Sequence, residues 1–283
     1  MTLAHQGIDE FPLGVGRKTL ADGFSEHDHD YIEINVIVRG TARHIVNGRP
    51  QPIRTGDAFV LNPGTIHGFA DTDNLSFYQL MFDPMLIASS LPALKKISGY
   101  HALFILEPAA LSSNIPFRSF TTLDMKGLEA VVLQFEAMIR EQDCRREGYQ
   151  AALQAMLLQL VTTLSRLYSG AGVRQGVIPR AARAAAFIER NYLTPVSLRQ
   201  LASEAGCSES QLIRDFRQGY GTTPVNYLLH LRLENAIQLL RNRSLSITDV
   251  AYSCGFSDSN YFTRLFKQHT GHTPSRFRKD TAE

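Results

Sequence analysis

Residues 180–283 contain the same unit twice, and this duplication constrains the chain more than any other feature. Leu201-Ala202-Ser203-Glu204-Ala205-Gly206-Cys207-Ser208 matches Val250-Ala251-Tyr252-Ser253-Cys254-Gly255-Phe256-Ser257 at an offset of 49 residues. Arg214-Asp215-Phe216 matches Arg264-Leu265-Phe266, and Gly221-Thr222-Thr223-Pro224 matches Gly271-His272-Thr273-Pro274, both at an offset of 50. Two copies are too few for a solenoid, so the repeat reads as a unit of fixed function used twice. Each copy is helix, Gly-centred turn, helix, which is the helix-turn-helix pattern. In the first copy Leu198, Leu201 and Ala202 form an apolar stripe, Gly206 permits the turn and Ser208 is placed to cap the next helix. In the second copy Ser257 is the expected cap.

The second helix of each copy divides into two faces. Leu212 and Phe216, and likewise Phe262 and Phe266, point inward. Ser210, Ile213, Arg214 and Arg217 fall on the other side of the first copy, as do Asn260, Thr263, Arg264 and Lys267 in the second. A helix that reads DNA needs this division, with one face anchored and the other offering polar groups to base edges and cations to phosphates. Arg214 and Arg264 suit bidentate contacts to guanine, Asn260 suits adenine, and Ile213 suits a thymine methyl. Arg217 and Lys267 suit backbone phosphates. A solvated helix face would look similar in one copy, but here both copies carry Arg at one register in the only basic part of the chain. Residues 1–175 carry a net charge of −3 and residues 176–283 a net charge of +5, so only the back of the chain is suited to a polyanion. Val225 to Arg241 reads as a long helix between the copies, able to hold them over groove segments one turn, ~34 Å, apart.

These residues carry a resemblance. Ile247-Thr248-Asp249-Val250-Ala251, Gly255-Phe256-Ser257-Asp258, Tyr261-Phe262-Thr263-Arg264-Leu265-Phe266-Lys267 and Gly271-His272-Thr273-Pro274-Ser275-Arg276-Phe277-Arg278 resemble the DNA-binding domain of the AraC/XylS transcription regulators. The resemblance implies promoter DNA as a partner, RNA polymerase as a second, and activation rather than repression.

The front of the chain reads differently. Tyr31 to Val38 is β-branched and partly alternating, ended by Arg39-Gly40; Ala42–Val46 enters a hairpin at Asn47-Gly48. Ala58–Leu61 and Phe77–Phe82 are further short strands, and Thr55-Gly56-Asp57 and Asn62-Pro63-Gly64 are turns. Many short strands punctuated by Gly and Pro predict a small β-barrel or jelly roll. Within it, His27, His29 and Glu33, then His67 after Gly56-Asp57 and Pro63-Gly64, resemble the two cupin motifs, with the first glycine spacing shortened and the Pro-Gly pair contracted. His27 and His29 would share a strand face at period two with Glu33 four residues on. Imidazole and carboxylate donors suit Zn, Fe, Ni or Mn. Three readings stay open for this set: effector-pocket lining with no cofactor required, a pocket assisted by a divalent metal, and structural histidines. A cupin ahead of such a DNA-binding domain resembles the regulators' effector domain, which implies a small-molecule effector, often a sugar. Tyr31, Arg43 and His44 are weaker pocket candidates. Ser98 to Pro108 resembles a segment of rhamnose-responsive family members, and by itself reads as a strand or edge segment packed on the barrel.

Apolar residues at three- and four-residue steps predict helices at 123–140 and 148–168, either a dimer seam or a cover for the barrel. Ser169-Gly170-Ala171-Gly172 with Gly176 and Pro179 reads as a linker. The expected organisation is α+β: a cupin-like effector barrel over 1–120, a helical pair over 121–168, a linker over 169–179, and an all-α double helix-turn-helix domain over 180–283. Cys144, Cys207 and Cys254 are too few and too scattered for a disulfide scaffold. With no secretory signal in Met1–Leu13 and no apolar run of bilayer length, they point to the cytoplasm and away from a membrane. The expected protein is a homodimeric, ligand-responsive transcription regulator and not an enzyme. The rivals are a metal-dependent cupin enzyme with a DNA-binding tail and an architectural DNA-binding protein lacking an effector.

Overall fold

A computed structural model describes residues 11–111, 121–170 and 176–280. Residues 1–10, 112–120, 171–175 and 281–283 lie outside the described residues, among them most of the segment read for a signal and part of the expected linker. The contacts divide the chain into two units, Met1–Ala182 and Arg183–Glu283. The fold class is α+β: an antiparallel sheet with helices in the first unit, helices alone in the second.

The sheet comprises β1 (Leu13–Leu20), β2 (Phe24–His27), β3 (Ile32–Val46), β4 (Arg49–Arg54), β5 (Asp57–Leu61), β6 (His67–Phe82) and β7 (Thr121–Thr122), in the order β1-β6-β3-β5-β7, with β2 on β6 and β4 on β3. Its spine is the β3–β6 ladder, paired from Ile32↔Phe82 to Val46↔His67. The sequence read Arg39-Gly40 as the end of a strand and Phe77–Phe82 as a separate short one; instead β3 and β6 run through. The register shifts between Ile37 and Arg43 absorb the irregularity. Gly40 makes this passage feasible at φ +81, and a Cβ there would lie 2.2 Å from the Asp73 carbonyl oxygen. The hairpin at Asn47-Gly48 forms as expected, with φ of 48 and 73 and Val46 paired to Arg49, the two positive-φ positions of a type I′ turn.

Alternation along β3 sorts residues between the two sheet faces. Ile37, Phe59, Leu61, Phe69 and Phe77 belong to one buried apolar cluster on the inner face. By the same alternation and register, Glu33, Asn35 and Gln79 share that face. On the opposite face Tyr78 stacks against Phe135 at 5.2 Å between ring centroids. Phe135 belongs to α4 (Met125–Cys144), which with α5 (Tyr149–Gly170) forms the expected helical pair, each starting one or two residues later and ending two to four residues later than its sequence pattern.

Between β6 and α4 the chain is helical: a 3-10 segment (Pro84–Ser90), α1 (Leu91–Leu94), α2 (Ser98–Tyr100), a π-helical turn (His101–Leu106) and α3 (Glu107–Leu111). The strand or edge segment expected at Ser98–Pro108 is therefore corrected. Helix packing decides the outcome: a Cβ on Gly99 would meet the Ser165 carbonyl oxygen of α5 at 1.8 Å, and the Gly99 N–H donates to Ser169 Oγ at 2.9 Å.

The second unit holds the end of α6 (Val177–Asn191), then α7 (Leu198–Ala205), α8 (Glu209–Tyr220), α9 (Pro224–Leu239), α10 (Ile247–Ser253), α11 (Ser259–Thr270) and α12 (Pro274–Asp280). The repeat is one of caps as well as of sequence. Ser197 with Gln200 and Ser246 with Asp249 form capping boxes at α7 and α10. Ser208 caps α8 by accepting from Gln211 N–H. The second copy departs from expectation: Asp258, not Ser257, caps α11, accepting from the N–H groups of Asn260 and Tyr261. A carboxylate there also favours the positive end of the helix dipole. Gly206 and Gly255 form the turns at φ of 69 and 84. Beneath α10–α11, Val250, Ala251, Phe262 and Phe266 bury with Leu233, Ala236 and Leu240 of the α9 segment.

Gly40→Ala is expected to destabilise the first unit by more than about 2 kcal/mol, because it adds both a positive-φ penalty and a backbone clash. A urea titration of the full chain that leaves the midpoint unchanged would contradict this account of the β3 bend.

Candidate functional site: a buried histidine and carboxylate cluster and two exposed helix faces

In the first unit, β2, β3, β6 and the turn before β3 bring His27, His29, Glu33, His44 and His67 together. His27 and His67 are paired across β2 and β6 with rings 4.4 Å apart. His29 does not share a strand face with His27, because β2 ends at His27. It reaches the cluster from the turn, where it stacks flat on Tyr31 at 4.1 Å. Its Nδ1 lies 3.0 Å from the Tyr31 carbonyl oxygen. A carbonyl can only accept, so Nδ1 carries the proton in that contact and Nε2 is left with its lone pair in the neutral ring.

Glu33 is fully buried. Its Oε1 accepts from Asn35 Nδ2 at 2.6 Å and from Gln79 Nε2 at 2.9 Å. Its Oε2 lies 3.0 Å from His29 Nε2 and 3.7 Å from His67 Nε2. Among the described residues, His29 Nε2, Glu33 Oε2 and both ring nitrogens of His67 are buried with no hydrogen-bond partner. Burial by itself would raise the Glu33 carboxyl, but the His29 contact, the charge of His67 and the Gln79 hydrogen bond together pull it down to about 2. The carboxylate is therefore ionised at neutral pH. Burial pushes His67 down to about 4 and His44 down to about 3. One ligand atom each from His29, Glu33 and His67 lies within 4.8 Å of the others. Two imidazole nitrogens and a carboxylate oxygen facing one point are the donors a borderline divalent ion takes.

The weaker candidates separate. Tyr31 is half-buried beside the cluster, and burial with the neighbouring Glu33 and Asp30 charges raises its phenol to about 12. His44 is buried and stacks between Phe59 at 4.4 Å and Phe69 at 5.0 Å. Arg43 is corrected as pocket lining: alternation turns it outward, where its half-exposed guanidinium meets Asp71 Oδ2 at 2.5 Å. Asn35 and Gln79, which orient the carboxylate, were missed in the sequence. Asn35 carried a signal, since it follows Glu33 at period two.

In the second unit, Ser210, Arg214 and Arg217 on α8 and Asn260, Arg264 and Lys267 on α11 are exposed, and Ile213 and Thr263 are half-buried. Arg214 donates to Gln211 Oε1 at 2.6 Å, and Gln211 in turn donates to Asp215 Oδ1 at 2.7 Å. Arg264 lies over the Tyr261 ring at 5.4 Å. Thr263 spends its hydroxyl on the Ser259 carbonyl oxygen at 2.9 Å, which leaves its methyl for outward contact. Gln211 and Tyr261, which hold the two arginines, were not singled out from the sequence.

His44 titration gives a pH test. Its ordinary value is 6.5 and its folded value is about 3, so the unfolded chain takes up the proton first as pH falls. The contribution of neutral His44 is intact above about pH 6.5 and is lost toward pH 3 with a slope of up to ~1.4 kcal/mol per pH unit. His44→Phe, which keeps the ring stack, should flatten the acid limb of a urea-midpoint profile between pH 6.5 and 4. An unchanged slope would contradict the burial account of His44.

The family comparisons agree with this division. Residues 17–161 match the AraC-like ligand binding domain, about half the chain, and residues 201–280 match a helix-turn-helix domain. The chain is 29% identical over 280 residues to the HTH-type transcriptional activator RhaR of Escherichia coli K12, covering 95% of this chain and 92% of that one. Among solved structures it is similar to an AraC-type transcriptional regulator from Chromobacterium violaceum (37% identity, 37% of this chain, 94% of that chain, TM-score 0.35). It is also similar to the DNA-binding domain of AdpA in complex with a target DNA (26% identity, 36% of this chain, 91% of that chain, TM-score 0.34). No helix among the described residues is long and apolar enough to cross a membrane. The chain belongs to the AraC family, transcription regulators rather than enzymes, with an AraC-like ligand binding domain ahead of a helix-turn-helix DNA-binding domain.

Proposed function

We propose that this regulator is a sugar-responsive transcriptional activator whose effector binds at the His27, His29, Glu33 and His67 cluster and whose α8 and α11 read promoter DNA. The observation that carries the reading is the pairing of two outward helix faces, with Arg214 and Arg264 at equivalent positions, to a domain that buries a carboxylate and unpartnered imidazoles. A pocket that hydrogen-bonds hydroxyls leaves such polar groups unsatisfied until its ligand arrives, and this favours a polyol over an apolar effector. The likeness to the RhaR activator supports activation, and with it RNA polymerase as a partner.

In this reading Arg214, Arg264, Asn260 and Ile213 contact base edges, Ser210 and Thr263 lie beside them, and Arg217 and Lys267 contact phosphates. The α4–α5 pair joins two chains, and effector binding shifts the population toward the dimer arrangement that fits both half-sites. In this reading DNA binding requires no cofactor, and the histidine and carboxylate cluster is the place suited to a divalent ion. The cytoplasm is the compartment in which all these partners meet.

Fluorescence anisotropy with a promoter fragment tests the reading. Arg264→Ala should weaken specific binding by ~1–3 kcal/mol and relax preference at one base position, and Lys267→Ala should lower the salt slope by ~1. A thermal-shift screen against sugars should find a ligand that stabilises the wild type and not His29→Ala. Unchanged sequence preference in Arg264→Ala would overturn the base-reading role, and an equal sugar response in His29→Ala would overturn the pocket.

A further inference from the structure

We propose that Gln211 is a positioning residue for base reading in α8: it ties Arg214 to the buried Asp215 carboxylate and so sets how strictly that arginine selects its base. The inference rests on the reading above that Arg214 contacts a base edge, and it adds the residue that holds the arginine in place.

Residues 211, 214 and 215 share one helical turn, at i, i+3 and i+4, so their side chains can meet. Asp215 is 2% exposed and is buried on α8 together with Leu212 and Phe216. Gln211 Nε2 donates to Asp215 Oδ1 at 2.7 Å, and Gln211 Oε1 accepts from Arg214 Nη2 at 2.6 Å. A carboxylate only accepts and a guanidinium only donates, so the amide has one orientation that serves both neighbours. The two bonds polarise the amide in the same sense, and each strengthens the other. A chain of hydrogen bonds thus runs from a buried carboxylate, through a half-buried amide, to an exposed cation. It leaves Arg214 with N–H groups enough for a bidentate contact to a guanine edge.

The second copy is an internal comparison. At the offset of 50, Tyr261 stands where Gln211 does and Leu265 where Asp215 does, so both links are missing beside Arg264. Arg264 lies over the Tyr261 ring at 5.4 Å instead. A ring face attracts the cation without prescribing its rotation, whereas a hydrogen bond to an amide oxygen is directional. An arginine whose rotamer is set before DNA arrives loses less conformational freedom on binding and is less able to swing toward a wrong base. Arg214 is accordingly the stricter reader and Arg264 the more tolerant one.

A Gln–Asp pair four residues apart also steadies a helix by itself, so the experiment has to separate that role from positioning. The wild-type full chain selects a duplex from a randomised pool. Fluorescence anisotropy then gives affinities for that duplex and for versions altered at one base pair at a time. Arg214→Ala and Arg264→Ala identify the base pairs the two arginines read, as the positions where preference is lost. Gln211→Met keeps the side-chain length and removes both hydrogen bonds. It should lower preference at the Arg214 base pair about 2–10-fold. Preference at the Arg264 base pair should stay as it is, and so should the salt slope, since no charge is lost. In the Arg214→Ala chain, adding Gln211→Met should change nothing further. Far-ultraviolet circular dichroism and Tm report whether each variant remains folded. Preference retained in Gln211→Met but lost in Arg214→Ala would overturn the positioning role and leave base reading standing. An equal drop against every duplex, or a further loss on top of Arg214→Ala, would also overturn it, marking Gln211 as a structural residue or a direct DNA contact. Unchanged preference in Arg214→Ala would overturn the base reading and this inference with it.

Discussion

A buried carboxylate is the constraint around which the first unit is organised. An ionised Glu33 in the interior is costly unless it is hydrogen-bonded, and β3 and β6 supply Asn35 and Gln79 to its Oε1, with Oε2 facing His29 and His67. Asn35 is two residues along the same strand, Gln79 is opposite Asn35 on β6, and His67 is at the start of that strand. The long β3–β6 ladder is thus what holds the polar cluster together, and Gly40 lets the two strands stay paired through the bend, where their register shifts. The apolar group of Ile37, Phe59, Phe69 and Phe77 occupies the same inner face, so the polar site adjoins an apolar wall.

The second unit solves a different problem. A helix that presents cations and amides to DNA must be anchored by its opposite face, and small helices have little area with which to do it. Here the anchoring is done by Leu212 and Phe216 in one copy and Phe262 and Phe266 in the other, all fully buried. Side-chain caps on α7, α8, α10 and α11 satisfy the N–H groups that such short helices leave unpaired. Arg232 on α9 adds a further tie, donating to the carbonyl oxygens of Tyr192 and Thr194 at 2.7 Å each. Gly255 stands so close to the Tyr192 carbonyl oxygen that a Cβ would come within 2.8 Å of it. The turn of the second motif and the end of α6 are therefore packed as one piece.

The sequence made the second unit legible because its signals are local. Cap, apolar stripe, glycine and outward arginine all fall within a few residues, and they occur twice. Only the second cap slipped, from Ser257 to Asp258, since both residues are good caps and adjacent. The first unit was legible in its residue types and less so in their arrangement. His27, His29, Glu33 and His67 could be picked out, but the pairing of β6 with β3 is long-range, so Gln79 carried no visible signal. Arg43 and His44 are neighbours, and alternation sends one outward to Asp71 and the other inward between two phenylalanines; strand phase decides that, and Gly40 obscured the phase. The helical nature of Ser98–Leu111 was hidden for a related reason, because its close approach to α5 at Gly99 is a tertiary contact.

Hydrogen exchange read by mass spectrometry on the full chain tests the central claim, that the buried cluster is where the first unit meets its ligand. With the sugar giving the largest thermal shift, the account predicts slowed exchange over residues 24–36 and 64–70, the segments carrying His27, His29, Glu33 and His67. Protection confined to other segments of the first unit, with these unchanged at saturating ligand, would contradict it.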